Sequence, residues 1–259
     1  MSRTTRQHGF FACCADKLVY IINYFNRYKK LPEDKDFYDP NIFYLYKPKN
    51  FIGDITTHFF KNDDMSEIEY SGNINCPISI QISKYNSVNY PPILPFIKKY
   101  FTPSDEIINI MDGLIKKYNI DAECYCAVYY RGTDKRKETK IGSYDTYISK
   151  MKEIKNMDNN IKFMVQSDET EFINAIKKEF NECLSFSENV SITANTNKGV
   201  HLINHPDQNY HTIKIFFAIL CVISKCKYII CSSGNCSIWT MFYRGHANNV
   251  FQFLNDVWL

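Results

Sequence analysis

The sequence predicts an α/β fold whose second half is a mostly parallel sheet covered by helices on both faces. Three observations carry that prediction. From residue 120 onward, short apolar runs alternate with amphipathic segments, the order of a doubly wound sheet. The run Cys126-Ala127-Val128-Tyr129-Tyr130 is apolar without alternation, as in a strand buried on both faces. It passes without a break into Arg131-Gly132-Thr133-Asp134-Lys135, and open α/β sheets bind their ligands at such carboxyl edges.

The 259 residues are enough for one large domain or two modest ones. With 45% hydrophobic and 23% charged residues, the chain has the composition of a globular protein. A net charge of +3 is too small to argue for nucleic acid or a membrane surface, and the aromatic residues are not interleaved with a basic stripe. The densest basic patch, Lys135-Arg136-Lys137, sits beside the glycine turn and suits a small polyanion. None of the 10 cysteines forms a Cys-x-x-Cys pair, and no histidine falls at zinc-ligand spacing near one, so no metal site is expected. Most cysteines lie in apolar segments and read as buried thiols. Phe10 to Ile22 is interrupted by Asp16 and Lys17, so neither a signal segment nor a membrane span is expected. The expectation is a soluble, cytoplasmic protein, in which the glycosylation patterns at Asn189 and Asn235 carry little weight.

Gly9-Phe10-Phe11-Ala12-Cys13-Cys14-Ala15 puts small residues ahead of a helix whose apolar positions are Leu18, Ile21, Ile22 and Phe25. A loop of this kind fits an anion or sugar site, and equally the simple packing of a first helix on a sheet. Short strands are expected at Asn41–Tyr46, Glu67–Tyr70 and Ile78–Ile82, among prolines that break up the pattern. Ser104 caps a helix that begins with Asp105 and Glu106 and ends at Lys116, Lys117 and Asn119. The domain boundary is placed there, between residues 1–119 and 120–259.

The second half then reads strand Cys124–Tyr130, helix Tyr144–Ile154, strand Ile161–Gln166, and helix Glu169–Phe180 capped by Ser167-Asp168-Glu169. A polar stretch follows from Ser187 to Tyr210, a lid or a long loop. Helix Thr212–Ser224, strand Tyr228–Cys231, the turn Ser232-Ser233-Gly234-Asn235, helix Ser237–Tyr243 and strand Asn249–Phe253 complete the chain.

Three loops at strand ends carry the chemistry: Arg131 to Lys135, Gln166 to Glu169, and Ser232 to Asn235. Free N–H groups and hydroxyls at a helix start suit a phosphate or ribose, although a capped helix or plain turn has the same residues. Tyr129-Tyr130-Arg131-Gly132-Thr133-Asp134-Lys135 resembles the arginine-rich peptide, His-x-Arg-Arg-Thr-Asp-Lys in its fullest form, of the GDP-fucose-using fucosyltransferases related to core α1,6-fucosyltransferases and NodZ-like enzymes. Gln166–Glu169 and the segment from His211 to Trp239 are similar to later motifs of that family.

The resemblance implies a GT-B fold, two Rossmann-like domains facing a cleft, with a small, irregular acceptor-side domain over residues 1–119 and a donor domain over 120–259. It implies no cofactor, a nucleotide-sugar donor with GDP-fucose favoured, and a glycan acceptor. Arg131 corresponds to the arginine that meets the donor diphosphate, and Thr133, Asp134, Lys135, Asp168, Ser232, Ser233 and Asn235 fall at donor-binding positions. Glu138 is the candidate general base. Tyr129 stands in place of the histidine, and Gly132 in place of the second arginine. Departing diphosphate charge needs a metal or fixed cations. The three strand-end turns carry no Asp-x-Asp motif of the metal-dependent sort, and offer Arg131 and Lys135 instead. The expected reaction is metal-independent, inverting glycosyl transfer. Use of another nucleotide sugar, or a binding protein without catalysis, remain the alternatives.

Overall fold

The computed structural model describes residues 8–33, 42–61, 72–188, 191 and 198–259. Its α-helices and strands are, in chain order, α1 (Phe10–Tyr28), β1 (Phe60–Lys61), α2 (Leu94–Tyr100), β2 (Thr102–Pro103), α3 (Asp105–Tyr118), β3 (Tyr125–Tyr130), α4 (Tyr144–Met157), β4 (Lys162–Ser167), α5 (Thr170–Glu179), β5 (Leu184–Ser185), α6 (Val200–Ile203), α7 (Pro206–Ser224), β6 (Tyr228–Ser232), α8 (Asn235–Arg244), β7 (Val250–Leu254) and β8 (Val257–Trp258).

One sheet organises the molecule, in the order β5-β4-β3-β6-β7-β8, parallel throughout except where β8 turns back against β7. All six residues of β3 are buried, as an unalternating apolar strand must be when neighbours lie on both sides and both faces. Val128 stands opposite Val165 of β4 and Ile230 of β6. Counted from β3, the parallel strands run 3-2-1-4-5, the doubly wound order.

The side chains of β3 divide between two cores. Cys126, Val128 and Tyr130 pack with Tyr147, Met151 and Ile154 of α4 and with Phe172 and Ile176 of α5. There the Tyr130 and Phe172 rings stack at 4.2 Å. Ala127 and Tyr129 face the larger core, filled by Phe217, Leu220 and Ile223 of α7 and by Ile238 and Trp239 of α8.

The first half of the chain joins that second core. Phe11 of α1 meets Phe217 edge-on at 5.4 Å and lies 6.0 Å from Trp239, and α3 packs along α7. Among the described residues of 1–119, strand pairing is limited to the two-residue antiparallel match of β1 with β2.

Several elements differ from expectation for identifiable reasons. The strand expected at Asn41–Tyr46 is, over its described residues, a turn and the 3₁₀ helix Tyr44–Tyr46. Phe43 and Tyr46, three apart, both bury against Phe10, which a strand's period of two would not allow. Ile78–Ile82 is also a 3₁₀ helix, entered from Pro77, in which Ile80 is buried and Ile82 exposed. Glu67–Tyr70 lies outside the described residues. Ser104 occupies the cap position of α3, but its hydroxyl donates to the His58 carbonyl. At α5 the cap is Glu169, whose N–H donates to Ser167 Oγ. The end of the polar stretch is helical: α6 fills 200–203 and α7 starts at Pro206, six residues before the expected Thr212, through a capping box of His205 and Gln208.

The cysteines are free thiols, buried except for Cys124 and the half-buried Cys236. No helix among the described residues is long and apolar enough to cross a membrane.

Candidate functional site

In a doubly wound sheet, two adjacent parallel strands whose crossovers leave toward opposite faces open a crevice at their carboxyl ends. Here those strands are β3, followed by α4, and β6, followed by α8. The turns that leave them are the two the sequence singled out. They touch: the Arg131 N–H donates to Ser232 Oγ at 3.1 Å. Between them lies a cleft of about 170 Å³, with Arg131, Asp134, Lys135, Asp168 and Asn235 on the sheet side and Gly9 and Phe10 of α1 opposite.

Arg131 is held in a fixed pose. Its Nη2 donates to Asp134 Oδ1 at 2.7 Å and its Nη1 to the Cys236 thiol at 3.6 Å. Its Nε lies 2.9 Å from Asp168 Oδ2 but is not aligned for a hydrogen bond, so that contact is an ion pair only. Asp168 is itself anchored, accepting from the Gly132 N–H at 2.9 Å and the Thr133 hydroxyl at 2.7 Å. Burial alone would lower the arginine's pKa. Asp168, with further contributions from Tyr129, Cys236 and Asp134, outweighs it and holds the pKa above the ordinary value. For Asp134 burial pushes upward, and Arg131 with the Thr133 hydroxyl prevails, leaving the carboxyl below its usual range.

Lys135 is the second cation, its side chain only 7% exposed. Its Nζ donates to Glu138 Oε2 at 2.5 Å and to Gln81 Oε1 at 3.2 Å. Gly234 gives it room, since a Cβ there would stand 3.2 Å from the lysine's Cε. Glu138, the expected base, lines the cleft at 50% exposure, but its carboxylate is engaged by Lys135.

Some expected lining residues stand behind the wall instead. Ser233 Oγ donates to the Phe253 carbonyl at 2.8 Å and accepts from Gln252 Nε2 at 2.8 Å. Ser232 Oγ is occupied by Arg131, and Thr133 is fully buried on Asp168. These hydroxyls position the two turns and do not line the cleft. Asn235 does line it, with a buried Oδ1 that has no hydrogen-bond partner.

Two helix N-termini face the same space: Gly9 to Ala12 of α1, and Gly234 to Ser237 of α8. Both cap residues are glycines, neither end has a side-chain cap, and neither first turn contains an acidic residue. Each such end carries roughly half a positive charge, although the Gly234 N–H already donates to the Tyr85 hydroxyl at 2.9 Å and the Ala12 N–H to the Gly9 carbonyl at 2.9 Å. They offset the surplus of one carboxylate around Arg131. What positive character the cleft has thus comes from helix ends and aimed donors rather than from net charge.

Gly132, where the resembling family has an arginine, is required by packing. A Cβ there would fall 2.0 Å from Glu169 Cδ. Glu169 is fully buried and accepts from Arg136 Nη2 at 2.7 and 3.0 Å and from the Tyr144 hydroxyl at 2.8 Å. His201 is a cleft residue that sequence reasoning missed, because the polar stretch around it shows no period. The adjoining Gly199, into which its ring folds, was the available signal. Among the described residues no group of three histidine, cysteine or acidic side chains is arranged to hold a metal ion.

No protein-family model matches the chain, and no curated protein matches it. Fold and site together define a mixed α/β protein with a mostly parallel six-stranded sheet and a polar cleft at its switch point.

Proposed function

We propose that the chain is a glycosyltransferase that takes its sugar from a nucleoside diphosphate donor, with GDP-fucose favoured by the resemblance of the Arg131 turn. The observation that carries this reading is the meeting, at one switch point, of the Arg131 guanidinium with the uncapped start of α8. A diphosphate seated there accepts N–H donors from both, and its growing charge is stabilised by groups already in place when the sugar leaves. Asp134 and Asp168 orient the guanidinium, and Asn235 supplies a further polar contact.

In the GT-B arrangement that the resemblance implies, the acceptor enters from the first domain's side. Here α1 and the 3₁₀ turns that pack on it form that wall. The surplus carboxylate beside Arg131 favours one second reading, a protein that binds a neutral glycan without transferring anything.

Calorimetric titration with GDP, UDP and their sugars, followed by turnover assays with and without EDTA, separates the two. The transferase reading expects micromolar GDP binding and chelator-insensitive turnover that falls about 100-fold in Arg131→Lys. Lysine is the informative replacement, because alanine would take the guanidinium from the buried Asp168 and the half-buried Asp134 and cost stability as well. Glycan binding with no affinity for any nucleotide would overturn it.

A further inference from the structure

We propose that Tyr129 and Asn235 together hold one sugar hydroxyl of the nucleotide sugar, next to the diphosphate that Arg131 receives; this rests on the transferase reading above. Side chains alternate along a strand, so Tyr129 of β3 and Arg131 just beyond its end face the same way. Tyr129 is 1% exposed, its ring lies 6.3 Å from that of Phe216 of α7, and both rings border the cleft. Its hydroxyl finds no hydrogen-bond partner among the described residues. The Cys236 thiol beside it is at best a weak acceptor and does not meet hydrogen-bond geometry. The charges that act on it, Arg131 and Asp168, are cleft residues too. Asn235, the first residue of α8, comes one position before that thiol, and its buried Oδ1 is likewise unpartnered among the described residues. Buried polar atoms left open cost stability in the free protein, and two of them bordering one cleft point to a ligand that completes both.

Their chemistry selects the group. Burial, helped by Cys236 and opposed by Arg131, raises the Tyr129 pKa well above its ordinary value, so the hydroxyl keeps its proton and donates. The Asn235 oxygen only accepts. A group that serves both must accept from one and donate to the other, as a sugar hydroxyl does. An ionised phosphate oxygen has no proton to give the amide oxygen, and an ammonium has no lone pair for the phenol.

Position selects it as well. Arg131 Nη1 reaches the Cys236 thiol at 3.6 Å, so both open groups adjoin the guanidinium and the diphosphate site beside it. A nucleotide sugar carries one sugar on each side of its diphosphate, and its base lies a whole ring further away. The transferred sugar and the ribose both present hydroxyls there, and a ligand that lacks the transferred sugar tells the two apart.

The test titrates GDP-fucose and GDP calorimetrically into the full chain and into Tyr129→Phe, Asn235→Ala and the double variant. Tyr129→Phe should weaken GDP-fucose binding about tenfold, the loss of one hydrogen bond, and Asn235→Ala by a similar factor. The double variant should lose clearly less than the product of the two single losses, because both side chains grip the same group. The ligand-free Tyr129→Phe protein should unfold in urea at a midpoint no lower than that of wild type, since it sheds an unpaired buried hydroxyl. Unchanged GDP affinity in these variants assigns the hydroxyl to the transferred sugar, and an equal loss for GDP assigns it to the ribose. Wild-type affinity in Tyr129→Phe, single losses that multiply fully, or a lowered midpoint would overturn the proposal and leave the transferase reading standing. A wild-type chain that binds neither GDP nor any nucleotide sugar would remove both.

Discussion

The turn after β3 carries two guanidinium groups into two carboxylate networks of similar make-up. Behind it, Arg136 and Tyr144 satisfy the fully buried Glu169, and Gly132 presses against that carboxylate. In front, Arg131 lies between Asp134 and Asp168, with its Nε unaligned, the Asn235 oxygen unpartnered and two helix ends uncapped beside it. The rear network is closed and serves the fold. The front one keeps polar groups in reserve, which the proposed nucleotide sugar would complete.

Substitutions on either side test this division. The largest effect is expected at the rear: Gly132→Ala forces a methyl group into Glu169 and should cost about 3 kcal/mol, read as a lower midpoint in urea unfolding. A midpoint unchanged from wild type would show that the rear network yields easily and is not the rigid partner of the pair.

A smaller and opposite effect is expected in front. Asp134→Asn removes the surplus charge and keeps the side chain's shape, so GDP affinity should rise about fivefold, roughly 1 kcal/mol, the size of one charge about 4 Å away under water-like screening. Weaker GDP binding by calorimetry would mean that Asp134 contacts the ligand directly. The carboxyl of Asp134 lies below its usual range, so its stabilising contribution is complete above the unfolded value near 4 and disappears as pH falls through the folded one.

The smallest effect belongs to Glu188. Burial would raise its pKa, but hydrogen bonds from Lys117 and Tyr118 bring it down to about 2. Its contribution is therefore present above the ordinary value of 4.5 and lost as pH falls toward 2. Glu188→Gln should lower stability slightly at neutral pH, with the deficit shrinking as the pH falls from 4.5 toward 2; stability equal to wild type at neutral pH would contradict this assignment.

The sheet was legible in the sequence because its strands satisfy local rules that tertiary context did not override. Val128 and Ile230 lie in apolar runs too short for helices, each ending in a turn, and both became parallel strands. In the first half, β-branched and aromatic runs such as Ile78–Ile82 had no neighbouring strand to pair with among the described residues, and they coiled into 3₁₀ turns. The cleft was half legible. A charged turn after a buried strand identifies Arg131 and Asp134 directly, whereas the inward rotation of Ser233 follows from Gln252 and Phe253, about 20 residues away on another strand. His201 and the start of α1 reach the cleft through packing of the whole chain, which no local pattern encodes.

The Arg131 N–H and the Ser232 hydroxyl that meet at the sheet's centre are separated by 101 positions, and the cleft also needs Gly9. Closing loops of that length is slow, so the binding space forms only once nearly all of the polypeptide has been synthesised and assembled. Until then Arg131 has none of its partners from β6 and α8. A ligand that recognises the finished cleft has no purchase on partly folded chains, and by mass action its presence would draw maturing molecules toward the native state.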